Sequence, residues 1–220
     1  MNAQLWQEIT WDVARAGGIV AYLLLTLSVA LGLALSMRWQ RPRWPRMLTN
    51  ELHSFVTLLS LVFICIHILA VWLDPYTRFG WRDIFVPLAT SYRPIWMAAG
   101  IVGLYLMLAV WLSSQLRAHI NYTLWRRLHT LTFFVFLLSA VHGLATGSDT
   151  KQPWALELYA GSAILVGALL INRLLTPIGA KGRPHVRLAA LTAAVVVAGA
   201  LWALNGPLQV GWSAIAGRGL

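Results

Sequence analysis

Residues 51–74 read ELHSFVTLLSLVFICIHILAVWLD, an apolar run long enough to cross a bilayer that carries His53 and His67 fourteen residues apart. Residues 125–147, WRRLHTLTFFVFLLSAVHGLATG, repeat this plan with His129 and His142 thirteen residues apart. Imidazoles are costly inside the hydrocarbon layer, and polar groups at that depth are usually functional or paired. These two stretches therefore decide both the fold and the chemistry to be expected of the chain.

The composition is that of an integral membrane protein in contact with lipid. Hydrophobic residues make up 59% of the 220 residues and charged residues only 11%, against about a quarter in ordinary globular domains. The net charge of +10 does not predict a nucleic-acid partner, because the basic residues lie in short loops between apolar runs. The single cysteine, Cys65, lies within an apolar run and leaves no disulfide or thiolate metal site in one chain. The amino terminus has no basic region before its first apolar run, so no cleaved signal is expected.

Six apolar segments meet the requirement of about twenty residues for a membrane helix. They run from about 13–37, 48–73, 95–113, 125–145, 154–175 and 186–204. The sequence therefore predicts one all-α domain over residues 1–220, an integral six-helix bundle. The aromatic-rich segment 74–94 between the second and third helices is predicted to lie at the membrane interface.

The basic residues in the loops predict the orientation. One side carries eleven of them and a single acid, Glu51: Arg38, Arg41, Arg43, Arg46, Arg117, Arg126, Arg127, Arg173, Lys181, Arg183 and Arg187. The other side carries six, Arg15, Arg78, Arg82, Arg93, Lys151 and Arg218, against six acids. Positive loops stay in the cytoplasm, so both termini are predicted to lie outside.

This topology assigns each histidine a depth. His53 and His129 fall near the cytoplasmic side, and His67 and His142 near the outer side. At 1.5 Å per residue, fourteen residues separate the two levels by about 21 Å. The sequence predicts two haems between helices two and four, one held by His53 and His129 and the other by His67 and His142. Two axial imidazoles make a haem iron that exchanges electrons and has no open position.

A non-redox alternative is open at this point, because each histidine alone could be a hydrogen-bonding brace between helices. Four histidines at matched depths favour the haem interpretation. No Ser-His-Asp set, paired carboxylates or phosphate loop can be assembled. Transport is not indicated either, because the predicted membrane core contains no acid that could bind a coupling ion.

The helical phase raises a difficulty. At about 100° per residue, fourteen steps return to within roughly 40° of the starting face, so His53 and His67 point the same way. Thirteen steps leave His142 roughly 140° away from His129. Either the fourth helix is locally distorted, or its two haems lie against different flanks.

The paired histidines, the W-x-x-L-H pattern from Trp125 to His129 and the pair His142-Gly143 resemble the six-helix ferric reductase-like transmembrane domain. That superfamily includes NADPH oxidases, ferric reductases and the bacterial haem subunit of a methionine sulfoxide reductase system. The resemblance implies a bacterial plasma-membrane protein in which the four histidines ligate two b haems. It also implies that electrons pass from a cytoplasmic flavoprotein to an outer acceptor. Residues 91–105, SYRPIWMAAGIVGLY, and 112–117, LSSQLR, are similar to the sulfoxide reductase partner.

Two departures from the resemblance affect the expected donor and acceptor. No GxGxxG motif or soluble domain follows the sixth helix, so the donor is expected to be a separate flavoprotein or a quinol. Arg15 resembles the arginine that oxidases use near the outer haem for oxygen reduction, which makes it the catalytic candidate. Val71 stands where the oxidases carry a further histidine, and this argues against oxygen as the acceptor. The alternatives are a self-contained reductase of ferric chelates or oxygen, a haem subunit of a sulfoxide reductase-like system, and a plain membrane anchor.

Arginines near the two levels are candidates for binding haem propionates through charge-assisted hydrogen bonds. Arg126 and Arg127 border the inner level, where topology signalling explains them equally well, and Arg82, Arg93 and Arg15 border the outer level. Glycines in the apolar segments could admit a porphyrin face, although close helix packing is their commoner use. They are Gly17, Gly18, Gly32, Gly103, Gly161 and Gly167.

Overall fold

The computed structural model describes residues 2–38, 45–177, 184–209 and 212. About 80% of the described residues are helical, and they contain no strand. Six of the helices in this described part of the chain are long and apolar enough to cross a membrane. The predicted all-α, six-span architecture is thereby confirmed. Several residues of the predicted charge bias lie outside the described residues: Arg41, Arg43, Lys181, Arg183 and Arg218.

Within the described ranges the chain forms eight helices. They are α1 (Ala3–Ser36), α2 (Arg46–Leu73), α3 (Trp81–Phe85), α4 (Pro94–Gln115), α5 (Tyr122–Thr130), α6 (Thr132–Thr146), α7 (Pro153–Leu175) and α8 (Val186–Asn205). The first helix begins ten residues before the predicted start at Val13. Its added turns alternate polar and apolar residues and are largely exposed, so they do not continue the uninterrupted apolar run that begins near Val13. Large apolar side chains such as Phe55, Leu69 and Ile164 are exposed on the spanning helices, as expected of faces in contact with lipid.

The predicted fourth helix is two helices, α5 and α6, separated at Leu131. The Leu131 backbone N–H donates to the Leu128 carbonyl at 3.0 Å, which is the i to i−3 bond of a tightened turn. The Asn121 side chain caps the start of α5 by accepting from the Thr123 N–H at 2.7 Å. A tightened turn rotates the chain further per residue than an α-helix does. It therefore reduces the angular offset that the thirteen-residue spacing leaves between His129 and His142.

The chain forms two compact units, each built from segments that are distant in sequence. One combines residues 2–22 with Phe63–Ser148; in it, α4 packs along α6. The other combines Leu23–Val62 with Asp149–Trp212, as far as these are described, and in it α7 packs on α8. The single domain over residues 1–220 stays a prediction.

A buried carboxylate anchors the carboxyl-terminal end of α2 within the first unit. Asp74 is only 2% exposed. It accepts hydrogen bonds from the Thr10 hydroxyl at 3.0 Å and from the Thr77 N–H at 2.9 Å. Because Thr10 lies on α1, these bonds hold α1 and the end of α2 in register near His67.

Candidate functional site

His67 and His142, the pair predicted to lie near the outer side and called the outer pair below, meet within the first unit. The rings of His67 on α2 and His142 on α6 have centroids 6.4 Å apart and planes inclined by 80°. Imidazole nitrogen binds first-row metals at about 2 Å. With the ring centroid about 1 Å behind that nitrogen, two axial imidazoles on one iron have centroids roughly 6 Å apart. The observed separation therefore suits a single iron between the two rings.

Backbone carbonyls fix the tautomer of both rings. His67 Nδ1 lies 2.7 Å from the Ala14 carbonyl oxygen, and His142 Nδ1 lies 3.0 Å from the Trp96 carbonyl oxygen. A carbonyl can only accept, so each Nδ1 carries the proton and donates it. Each Nε2 is then the nitrogen with a lone pair for a metal, which is the usual arrangement of a ligating histidine.

A glycine makes each of these carbonyls accessible. A Cβ added at Gly18 would lie 3.0 Å from His67 Nδ1, and one at Gly100 would lie 2.7 Å from His142 Nδ1. Each glycine comes four residues after the accepting carbonyl, Ala14 or Trp96. Helical side chains lean toward the amino terminus and cover the preceding turn, so any larger residue there would block the approach of the ring.

His53 repeats the arrangement in the second unit. Its Nδ1 lies 2.9 Å from the Ser28 carbonyl oxygen, and the Ser28 hydroxyl lies 3.2 Å from the same nitrogen. Gly32 follows four residues after Ser28, and a Cβ there would lie 3.4 Å from His53 Cε1. His53 is therefore a third histidine with its Nδ1 on a carbonyl that a glycine uncovers.

His129, in the first unit, has a side-chain hydroxyl rather than a backbone carbonyl beside its Nδ1. Its Nδ1 lies 3.4 Å from the hydroxyl of Ser114, and this hydroxyl donates to the Val110 carbonyl at 2.9 Å. The hydroxyl's one hydrogen is thereby used, so its oxygen accepts from the His129 Nδ1–H. The His129 ring also stacks on Trp125, with centroids 5.1 Å apart and planes inclined by 28°. His53 and His129 belong to different units, and their pairing stays a prediction.

Arg93 is the predicted arginine with the most unusual surroundings. It precedes Pro94 and has a left-handed backbone, with φ of 44°, although a residue before proline normally adopts an extended one. Its Nη1 donates to the Ala145 carbonyl on α6, three residues after His142. Its Nε is buried and has no hydrogen-bond partner among the described residues. An unsatisfied guanidinium nitrogen next to the outer histidines suits an anionic group such as a propionate.

The other predicted arginines are more open to their surroundings. Arg82 and Arg126 are exposed. Arg15 is 38% exposed at its side chain, and its Nη1 lies 3.3 Å from the carboxylate of Asp12. Its neighbour Ala14 supplies the carbonyl that accepts from His67, so Arg15 is close in sequence to the outer pair.

The donor set suits a haem better than a bare metal ion. In the part of the chain that the structure describes, no group of three or more His, Cys, Asp or Glu side chains could hold a metal. Two facing imidazoles are sufficient for a haem, because the porphyrin supplies the four other nitrogens to the iron. Cys65 is exposed on α2 and adds no ligand to the pair.

Sequence reasoning missed the role of Gly100, of Ser114 and of the accepting carbonyls. A usable signal was present in the spacing. Gly18 and Gly32 are fourteen residues apart, as are Gly100 and Ser114, and this matches the spacing of His53 and His67. Equal spacings on the neighbouring antiparallel helices α1 and α2 bring His67 against Gly18 and His53 against Gly32.

A family model described as the ferric reductase like transmembrane component matches residues 17–140. The chain belongs to this family. The match contains His53, His67 and His129 and ends two residues before His142. No curated protein and no solved structure matches the chain significantly. Membership indicates electron transfer in the membrane, and domains of this ferric reductase-like family generally bind haem.

Proposed function

We propose that this ferric reductase-like protein is a diheme b-type cytochrome that carries electrons across the membrane. The observation that carries the proposal is the outer pair, two imidazoles with centroids 6.4 Å apart and both Nδ1 atoms tied to backbone carbonyls. When bound between such rings, a b haem supplies a low-spin iron that gains and loses one electron.

The residues of the chain have distinct roles in this proposal. His67 and His142 hold the outer haem through Nε2. His53 and His129 hold the inner haem, a pairing that rests on their matched depth along the sequence. The carbonyls behind the rings of His67, His142 and His53 would fix the orientation of each Nε2 and raise its basicity as a ligand.

Arg93 is proposed to bind a propionate of the outer haem. Its buried Nε and its left-handed backbone before Pro94 support this role. Unusual backbone conformations of this kind concentrate at functional sites, where the surroundings hold them in place. Arg82 and Arg126 are exposed, so a propionate contact there would be weakened by solvent.

The donor and acceptor are proposed from the resemblance. A separate flavoprotein or a quinol would reduce the protein on one side, and an outer acceptor would take the electron. A self-contained reductase, with Arg15 assisting at the outer haem, would behave differently after purification. Chemically reduced protein would then be reoxidised promptly by a ferric chelate or oxygen alone, and His67→Ala would abolish this reaction. Slow reoxidation supports the electron-carrier role.

The first test is the haem-to-protein ratio of the purified protein, measured by pyridine haemochrome together with oxidised and reduced spectra. Two haems per chain with low-spin bis-imidazole bands are expected. His67→Ala or His142→Ala should remove one haem, and His53→Ala or His129→Ala the other. His119→Ala, at an exposed loop position, should retain both.

The same assay tests the arginines and the pairing. Arg93→Gln should lower the occupancy of the haem that His142→Ala removes, whereas Arg82→Gln should leave both haems in place. Wild-type protein that contains no haem after haem-replete expression would contradict the proposed function. Loss of both haems from all four histidine variants would overturn the assignment of two separate pairs.

A further inference from the structure

The four histidines do not have equivalent partners behind the ring. Three of them direct Nδ1 to a backbone carbonyl, at distances of 2.7, 3.0 and 2.9 Å for His67, His142 and His53. Each of these carbonyls is followed four residues later by a glycine. At His129 the corresponding carbonyl is that of Val110, and the residue four positions later is Ser114.

The Ser114 hydroxyl takes the place of the Val110 carbonyl as the acceptor beside His129. Its hydroxyl donates to the Val110 oxygen at 2.9 Å, so the acceptor offered to His129 is the hydroxyl oxygen, at the longer distance of 3.4 Å. Trp125 Nε1 lies 3.4 Å from the same oxygen and shares its lone pairs. His129 Nδ1–H therefore has a longer and more divided hydrogen bond than its three counterparts.

The strength of this hydrogen bond affects the reduction potential of the iron that the ring would bind. A strong acceptor behind Nδ1 pulls the proton away from the ring and makes Nε2 more electron-donating. An electron-rich ligand stabilises the oxidised iron and lowers its reduction potential, because hydrogen bonds to the ligand are among the factors that set this potential. A weak acceptor has the opposite effect.

We propose that Ser114 is a positioning residue that raises the reduction potential of the haem bound by His129, by replacing a direct carbonyl contact with a weaker hydroxyl contact. The inference rests on the proposed function, because it needs haem at His129. It adds a difference between the two haems that their shared bis-histidine ligation does not predict.

Two substitutions at this position should shift the potential in opposite directions. Ser114→Ala removes the hydroxyl and keeps the Val110 carbonyl covered by a methyl group, so the midpoint of one haem should rise. Ser114→Gly removes both the hydroxyl and the side chain that covers the Val110 carbonyl, so His129 Nδ1–H can donate to that carbonyl beside the Ser113 hydroxyl, and the same midpoint should fall. Each shift should correspond to up to about tenfold in the ratio of oxidised to reduced haem, or about 59 mV for one electron.

Ser113→Ala is the matched control. The Ser113 hydroxyl donates to the same Val110 carbonyl at 2.8 Å, and Ser113 is buried. Its removal tests for a general disturbance of this turn of α4, and both midpoints should stay at their wild-type values.

The measurement is a spectroscopic redox titration of each variant, with the EPR spectrum of the oxidised haems as a second readout of ligand character. The His142→Ala background identifies which midpoint belongs to the His129 haem. Two bound haems whose midpoints are equal in Ser114→Ala, Ser114→Gly and wild type would overturn the inference and leave the proposed function intact. Shifts of the same sign in both variants would also overturn the inference. Absence of haem from the wild-type protein would instead contradict the proposed function itself.

Discussion

At the scale of single residues, the most consequential contact is that between Gly100 and the ring of His142. A Cβ at this position would lie 2.7 Å from Nδ1, 2.8 Å from Cε1 and 2.9 Å from Cγ of that ring. The ring cannot yield easily, because Nδ1 is tied to the Trp96 carbonyl at 3.0 Å. A single methyl group would therefore have to displace either the ligand or the backbone of α4.

We expect Gly100→Ala to release the His142 ring from its carbonyl and to lower the affinity for the outer haem by roughly tenfold or more, which is typical when the hydrogen-bond partner of a ligating histidine is lost. The haem-to-protein ratio should fall toward one. Gly161→Ala is the control, because no described atom lies within 4 Å of a Cβ built there. It should keep both haems and stabilise α7 by about 0.5–1 kcal/mol. Full outer haem occupancy in Gly100→Ala would contradict the steric argument.

The sequence predicts the histidines but not these contacts. Imidazoles in an apolar helix stand out by their cost, whereas Gly100 is one of several glycines in apolar segments, most of which serve packing. Its role depends on which helix packs beside α6 and at what height, and this is a tertiary property. Arg93 was one of several basic residues near the outer level. Its distinction, a buried Nε behind a left-handed backbone, is likewise visible only in the fold.

At the scale of helices, the break at Leu131 reduces the angular offset that the thirteen-residue spacing leaves between His129 and His142. The sequence left two possibilities, a distorted helix or haems against different flanks. The distortion is present as the tightened turn between α5 and α6. No proline or glycine lies in residues 121–142 to mark it, so periodicity alone predicts one continuous helix. α6 packs along α4, and tertiary packing routinely overrides local helix preference.

The junction can be tested by inserting one alanine between Leu131 and Thr132, which makes the spacing of His129 and His142 fourteen, as in α2. One residue turns α6 relative to α5 by about 100° and moves it by about 1.5 Å. We expect one of the two haems to be lost. An alanine inserted between Gly147 and Ser148, beyond the end of α6, should preserve both. Two haems in the first insertion variant would mean that the turn does not set the relative orientation of the two histidines.

At the scale of the whole molecule, the hydropathy pattern was sufficient for the all-α class and for six spans. It could not reveal that the chain forms two compact units, because each unit combines segments far apart in sequence. The boundary between the units falls part-way along both α1 and α2. Each unit therefore contains one end of both helices and one of the two histidines of α2. Which segments associate depends on long-range packing, which no local window of sequence encodes.

The orientation of the whole chain is open to direct measurement. The positive-inside bias predicts that residues 76–80 face the outside and residues 117–120 face the cytoplasm. In a Cys65→Ser background, which removes the one native cysteine, a membrane-impermeant thiol reagent should label Phe79→Cys in sealed, right-side-out vesicles. Ala118→Cys should react only after the membrane is permeabilised. The reverse labelling pattern would show that the topology is opposite to the predicted one. The haem proposed at His129, next to Ser114, would then lie on the opposite side of the membrane and meet its electron donor there.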